Sequence, residues 1–187
     1  MRYCRIMFCL GILLWLGPAW AANDIQQGIH GMKWGSRISE HPELTRVHEV
    51  GRATYYVNSN MAFQTANQPI PGVFYGFYRE QFFAVFIKLR SPDQFSQLER
   101  QFSARHGKPK TTYYPASKQT VYRWQDAEVK IKLKMRESTR EYKLAIYHAP
   151  LAAKWNQDLM EGAESEVYDK SVSAPGAEAK PAPLLDY

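Results

Sequence analysis

Three features of this 187-residue chain predict an α+β fold, a two-layer sandwich of mainly antiparallel sheet with helix packed against it. Residues 128–136 read EVKIKLKMR, so Val129, Ile131, Leu133 and Met135 alternate with Lys130, Lys132, Lys134 and Arg136. In an extended chain a period of two sends the apolar side chains to one face and the cations to the other, as in a sheet that is dry on one side. Around it lie further β-rich runs joined by links too short for a crossover, which makes their pairing antiparallel. The segment SPDQFSQLERQFSARHGKP then carries the signals of one long amphipathic helix in order.

Taken along the chain, GIHGMKWGSRISEHPEL spaces Gly28, Gly31 and Gly35 among Ile29, Met32, Trp34 and Ile38. It predicts a short strand ending in a turn at Trp34-Gly35-Ser36, with Pro42 opening a helical turn. RATYYV at 52–57 has the β-branched and aromatic content of a strand, whereas 58–71, with its Asn, Gln and Pro, reads as a loop. VFYGFYREQFFAVFIKL at 73–89 predicts a hairpin turning at Arg79-Glu80-Gln81. Neighbouring side chains point to opposite faces, so Phe74, Tyr75, Phe77, Tyr78, Phe82, Phe83 and Phe86 make both faces of that hairpin apolar. Such a hairpin belongs in the middle of a sheet, with helices over one side and loop residues such as 58–71 over the other. The alternative is an exposed aromatic groove for a partner or an apolar ligand.

The helix at 91–106 has Ser91 as N-cap, Gln94 three residues on, Pro92 at the first helical position and Asp93 in the first turn. Phe95, Leu98 and Phe102 give one apolar stripe, and Arg105, His106, Gly107 and Pro109 close the helix. Strands follow at 111–114, 120–124, 129–135 and 142–147, with turns at Asp126-Ala127 and at 137–140. Pro150 opens a last helix, 150–161, with Leu151, Trp155 and Leu159 on one face. No segment repeats at a fixed period, although the succession of strand and helix blocks leaves a degenerate duplication open.

Residues 1–21 have the parts of a secretory signal: Arg2 and Arg5, an apolar run from Ile6 to Leu16, and Ala19-Trp20-Ala21. The run is shorter than the roughly 20 residues of a spanning helix, so cleavage rather than anchoring is expected, and no transmembrane span thereafter. Cys4 and Cys9 both lie in this segment. The expected mature chain then has no disulfide, no thiol nucleophile, no cysteine metal site and no cysteine for lipid attachment, and the expected compartment is a Gram-negative periplasm. One domain is expected over 23–161, followed by a disordered Ala/Pro/Glu-rich tail over 162–187. Residues 23–150 hold 19 Lys+Arg against 11 Asp+Glu, while 151–187 hold 3 against 7, so a basic domain carries an acidic extension that could compete for its cations.

Catalytic signatures such as G-x-S-x-G, G-x-x-x-x-G-K, G-x-G-x-x-G and H-E-x-x-H are absent. His41 and His48 lie seven apart, which matches no common metal pair, and neither a metal nor a cofactor is expected. The carboxylate pairs Glu137/Glu141 and Asp126/Glu128 flank turns, where solvation is the ordinary role. That leaves Lys130, Lys132, Lys134 and Arg136 as the candidate binding residues, a stripe roughly 20 Å long at about 6.6 Å per alternate residue. It suits an anionic envelope component or an acidic protein face, and not nucleic acid, which an exported protein is poorly placed to meet. The plain alternative is a solvated face whose lysines discourage edge-to-edge pairing.

GMKWGSRI, YGFYREQFFAVFIKL and the F-x-x-L helix ending in HGKP together resemble a pattern in uncharacterised exported bacterial proteins, where a G-x-x-W-G turn precedes a G-F-Y strand. A looser similarity is to small α+β envelope domains of assembly factors and inhibitor proteins, whose lipid-attachment cysteine this chain lacks. The function expected is a periplasmic binding or adaptor domain without catalysis, the alternative being a hydrolase whose site assembles from scattered residues.

Overall fold

The computed structural model describes residues 25–172 apart from 61–63, 66–67 and 71. The expected signal segment and the tail beyond 172 lie outside the described residues. The fold is α+β, with two α-helices and an antiparallel sheet that dominates the chain. The strands are β1 (Gly28–Ile29), β2 (Met32–Lys33), β3 (Thr45–Val50), β4 (Ala53–Val57), β5 (Gln64–Thr65), β6 (Gln68–Pro69), β7 (Gly72–Tyr78) and β8 (Gln81–Leu89). Helix α1 (Pro92–His106) follows, then β9 (Lys110–Tyr114), β10 (Gln119–Asp126), β11 (Val129–Arg136), β12 (Glu141–His148) and α2 (Ala149–Val172). Eight strands form one sheet in the order β3-β4-β7-β8-β12-β11-β10-β9. Two four-stranded meanders, each followed by a helix, thus meet edge to edge where β8 pairs with β12.

The register fixes the two faces. Val85, Ile87, Leu144, Ile146, Ile131 and Leu133 share one, and Phe86, Ala145, Tyr147 and Lys132 share the other. Helix α1 lies on the first face, with Phe95 against Tyr122 and Tyr142 and Phe102 against Trp124. Its start is as the sequence requires: Ser91 Oγ accepts from the Gln94 amide, and Gln94 Oε1 accepts from the Arg90 amide. Helix α2 lies on the opposite face, where Leu151 and Trp155 cluster with Tyr55, Phe83, Phe86 and Tyr147. The expectation of cover on a single face is therefore replaced by one helix on each, because β8 is apolar on both sides and neither side can be left wet.

The aromatic hairpin is closed. Tyr75, Phe77, Phe82 and Phe83 are all buried, and only Phe74 among its rings is exposed. Its cover is not the 58–71 segment alone: Met32, Trp34, Ile38 and Leu44 pack with Phe77, Phe82 and Val85 on one side, joined by Ile70, and α2 covers the other. Trp34 stacks on Phe82 at 4.8 Å. A bulge at Gly76/Phe77 breaks the β7–β8 register, and a Cβ at Gly76 would crowd the Phe83 ring at 3.0 Å. The hairpin turns on Arg79 and Glu80 alone, both at positive φ (47° and 66°), with Gln81 already paired in the strand.

Other boundaries differ from expectation. The first strand is a miniature hairpin, β1–β2, turning at His30-Gly31. The helical turn lies at Ile38–Glu40, before Pro42 and not after it. Strand β3 has no counterpart among the expected elements, since it is a sheet edge exposed along nearly its whole length and carries no apolar period. The 58–71 segment, expected as loop, holds the short β5–β6 ladder. Helix α2 runs to Val172, past the expected end at 161.

Helix α2 is tied to the sheet through Asp158. Its carboxylate accepts from the Tyr78 hydroxyl at 2.5 Å, from Arg52 Nη1 at 3.1 Å and from Arg79 Nη2 at 3.0 Å. The hydrogen bond from Tyr78, followed by the two guanidinium charges, holds the Asp158 carboxyl below its ordinary value of 3.8 despite some desolvation. A depressed pKa stabilises the fold fully above that value and is lost as the pH falls below it. Asp158→Asn is therefore expected to lower the urea midpoint at pH 7, with the deficit relative to wild type shrinking in titrations carried below about pH 3.8. Trp155 is 1% exposed, and Trp155→Ala is expected to cost about 3–5 kcal/mol of unfolding free energy in urea denaturation.

Candidate functional site: a basic face on the sheet

Sequence alternation sends Lys130, Lys132, Lys134 and Arg136 to the face opposite α1, and strand pairing decides what stands beside them. Lys132 is registered with Arg123 on β10, which is in turn registered with Lys110 on β9. Lys134 is registered with Lys143 on β12, and Lys143 with Lys88 on β8. Two lateral rows of three cations result, Lys110–Arg123–Lys132 and Lys88–Lys143–Lys134. Lys130 sits above them and Arg136 below. On this face of β8–β12 the described charged residues are these eight cations and one carboxylate, Glu141.

The cations are not equally available. Lys88, Lys110 and Lys143 are exposed, Arg123, Lys130, Lys134 and Arg136 are half-buried, and Lys132 is only 4% exposed. Four equivalent solvent-facing cations on β11 were expected. Lys132 departs from that because it stands in mid-strand, between Arg123 on β10 and Ala145 on β12, with Lys130 and Lys134 flanking it along β11. Arg123 is held flat by Thr112 Oγ1 at 2.9 Å and the Tyr114 hydroxyl at 3.0 Å. Its charge acts on Tyr147, whose pKa burial raises and Arg123 partly brings back down. Arg136 donates to Gln119 Oε1 at 3.2 Å and pairs with Glu141 at 3.5 Å, while Lys143 reaches Glu141 at 3.2 Å. Burial alone would raise the Glu141 carboxyl, but Lys143, then Arg136 and Thr139, outweigh it and hold it below its ordinary value.

Sequence pattern finds the β11 row and misses Lys88, Lys110, Arg123 and Lys143. Each is a single cation in its own strand, and only the pairing register reveals that they adjoin. The histidines and carboxylates weighed for catalysis do not converge. His106 meets Asp126 at 3.2 Å and His148 meets Glu128 at 3.3 Å, while His30 bonds the Tyr75 hydroxyl. Among the described residues no three His, Asp, Glu or Cys side chains are grouped to hold a metal. No helix among them is long and apolar enough to cross a membrane.

One arrangement has the outline of a charge relay. Ser36 Oγ and His41 Nε2 share a hydrogen bond of 2.9 Å, and His41 Nδ1 stands 3.6 Å from Glu43 Oε1. Acyl transfer also needs amide donors aimed at a developing oxyanion. Here the Gly35 amide is spent on the Phe82 carbonyl, the Ser36 amide on Lys33 and the Arg37 amide on Glu40. The constellation is a lock for the 34–44 turn that caps the Phe77–Phe82 cluster.

No family model, no curated protein and no solved structure matches this chain. Its chemistry rests on its own geometry, with the basic face as the one constellation that the sheet assembles from four strands or more. A fluorophosphonate probe is expected to leave Ser36 unlabelled by intact-mass analysis, and Ser36→Ala to lower unfolding free energy by about 1 kcal/mol as a lost internal hydrogen bond.

Proposed function

We propose that this chain is an exported, periplasmic binding or adaptor domain without catalytic activity, and that its basic sheet face contacts an anionic envelope component or an acidic protein surface. The observation that carries the reading is the like-charge register: Lys110 with Arg123, Arg123 with Lys132, Lys134 with Lys143 and Lys143 with Lys88. Like charges directly opposite one another oppose pairing by about 0.2–1 kcal/mol each. Lysines that guard against aggregation belong on edge strands, but β8, β12, β11 and β10 are interior, so edge protection does not account for the rows. An anion bound at the exposed ends of the rows, Lys110 on one and Lys88 and Lys143 on the other, would stabilise the fold by linkage. In this reading the cation-bearing face of β8–β12 is the binding surface, and α2 and the N-terminal segment that close the aromatic hairpin are its support.

The test is retention on vesicles of anionic lipid and on lipopolysaccharide across a salt series, for wild type and for Lys88→Gln/Lys134→Gln/Lys143→Gln. At about 1 kcal/mol per cation near an anionic surface, the triple variant is expected to bind about a hundredfold more weakly and with a shallower salt dependence. Equal binding by both proteins, or none by either, would sink the reading.

A further inference from the structure

Beyond the rows, at the end of the same face, the chain turns twice. The 3-10 turn Pro115–Ser117 and the hairpin turn between β11 and β12 border a cleft of about 470 Å3, lined by Ala116, Ser117, Lys118, Arg136, Ser138 and Thr139. It is open to solvent, with Ala116, Lys118, Ser138 and Thr139 exposed and Ser117 and Arg136 half-buried. The lining contributes two cations, three hydroxyls and one methyl, and no carboxylate. The two turns are joined, since the Glu137 amide donates to the Lys118 carbonyl at 3.0 Å. Arg136 is held by Gln119 on one side and Glu141 on the other, and its Nε is buried without a partner among the described residues.

We propose that this cleft seats a phosphomonoester, the phosphate end of a phosphorylated sugar or of a lipid-borne phosphate. A phosphomonoester carries about −1.5 to −2 charges at pH 7 and three acceptor oxygens, which match Lys118, Arg136 and the Ser117 and Ser138 hydroxyls, the Thr139 hydroxyl being donated to Glu141 Oε2 at 3.4 Å. A carboxylate has fewer acceptors and a single charge, and would leave part of this donor set unused. Glu141 does not counter the anion at full strength, because Lys143 and Arg136 already share its charge. The cleft is also larger than an inorganic phosphate needs, and leaves room for a sugar ring beside Ala116. This inference takes its anionic ligand class from the reading above and adds where the charged group is held.

Glucose 6-phosphate is the probe, with glucose as the neutral control, followed through the backbone amides in two-dimensional NMR. Saturable shifts are expected at 116–119 and 136–140 with the phosphate alone, and Lys118→Gln and Ser138→Ala are each expected to weaken binding about tenfold, the cost of one hydrogen bond to a charged group. The idea fails if shifts do not saturate, if they spread evenly over β8, β11 and β12, or if neither variant changes affinity. Vesicles carrying phosphatidic acid separate the two sources. Displacement of those vesicles by glucose 6-phosphate assigns the cleft to a lipid-borne phosphate, and indifference alongside saturable shifts assigns it to a soluble one. If vesicle retention is absent while the cleft shifts persist, the sheet-face reading falls and the cleft stands. Retention without cleft shifts removes the cleft and leaves the sheet face standing.

Discussion

Strand β8 is apolar on both sides, and most of the architecture answers that constraint. Phe82, Phe83, Ala84, Val85 and Phe86 run in sequence and are all buried, which an edge strand or a half-wet strand cannot achieve. The strand must therefore lie in the middle of the sheet, between β7 and β12, and each face above it needs its own cover. The N-terminal segment supplies one cover through Met32, Trp34 and Ile38, and α2 supplies the other through Leu151 and Trp155. Burying such side chains is worth roughly 25 cal/mol per Å2 of apolar surface, so the molecule gains most where these three elements meet.

That placement decides where the charge collects. Helix α2 leaves β12 at the end of the sheet near Ala149, and its described turns are held over β7 and β8, where Asp158 draws in Arg52, Arg79 and Tyr78. Two guanidinium groups share one carboxylate there. At the other half, α1 occupies the opposite face, and the cation-bearing face of β10 and β11 combines half-buried cations with the buried Val121, Gln119 and Lys132. The asymmetry between the halves, one cover per face and each over a different set of strands, is what separates a hydrophobic end from a basic one.

The parts legible from sequence are those written in a local period. Helix α1 can be read residue by residue because its cap, stripe and closing glycine are all within 20 positions of one another, and the β11 alternation is equally plain. What sequence does not supply is lateral. Lys143 in EYKLAIYH and Lys88 in FIKL each look like one polar residue in an apolar strand, and nothing local says that they are opposite one another. The same limit hides the helices' choice of opposite faces, which no local pattern records. Strand β3 is illegible for a different reason, since with no buried side its residues TRVHEV need no pattern at all. The turn at Arg79-Glu80 lacks the glycine that usually marks two left-handed residues, and it is held instead by bonds from the Arg79 amide to the Arg52 carbonyl and from the Ile38 amide to the Glu80 carbonyl.

A buried lysine in the middle of the basic face changes how that surface should be regarded. Lys132, at 4% exposure, is set into the sheet between Arg123 on β10 and Ala145 on β12. Exposed cations in water are screened within about 10 Å at ordinary salt, and their mutual repulsion is small. Half-buried ones such as Arg123 are screened less, and the Arg123 charge reaches the buried Tyr147 hydroxyl, whose pKa it partly brings back down. Hydrogen bonds from Arg123 to Thr112 and Tyr114, and from Arg136 to Gln119, then fix the direction of that field before any ligand arrives. A row of mobile surface lysines would lose side-chain entropy on meeting an anion; a row set into the sheet has already lost it in folding, and for that reason the interior strands, rather than the edges, are where a preorganised basic surface can be built.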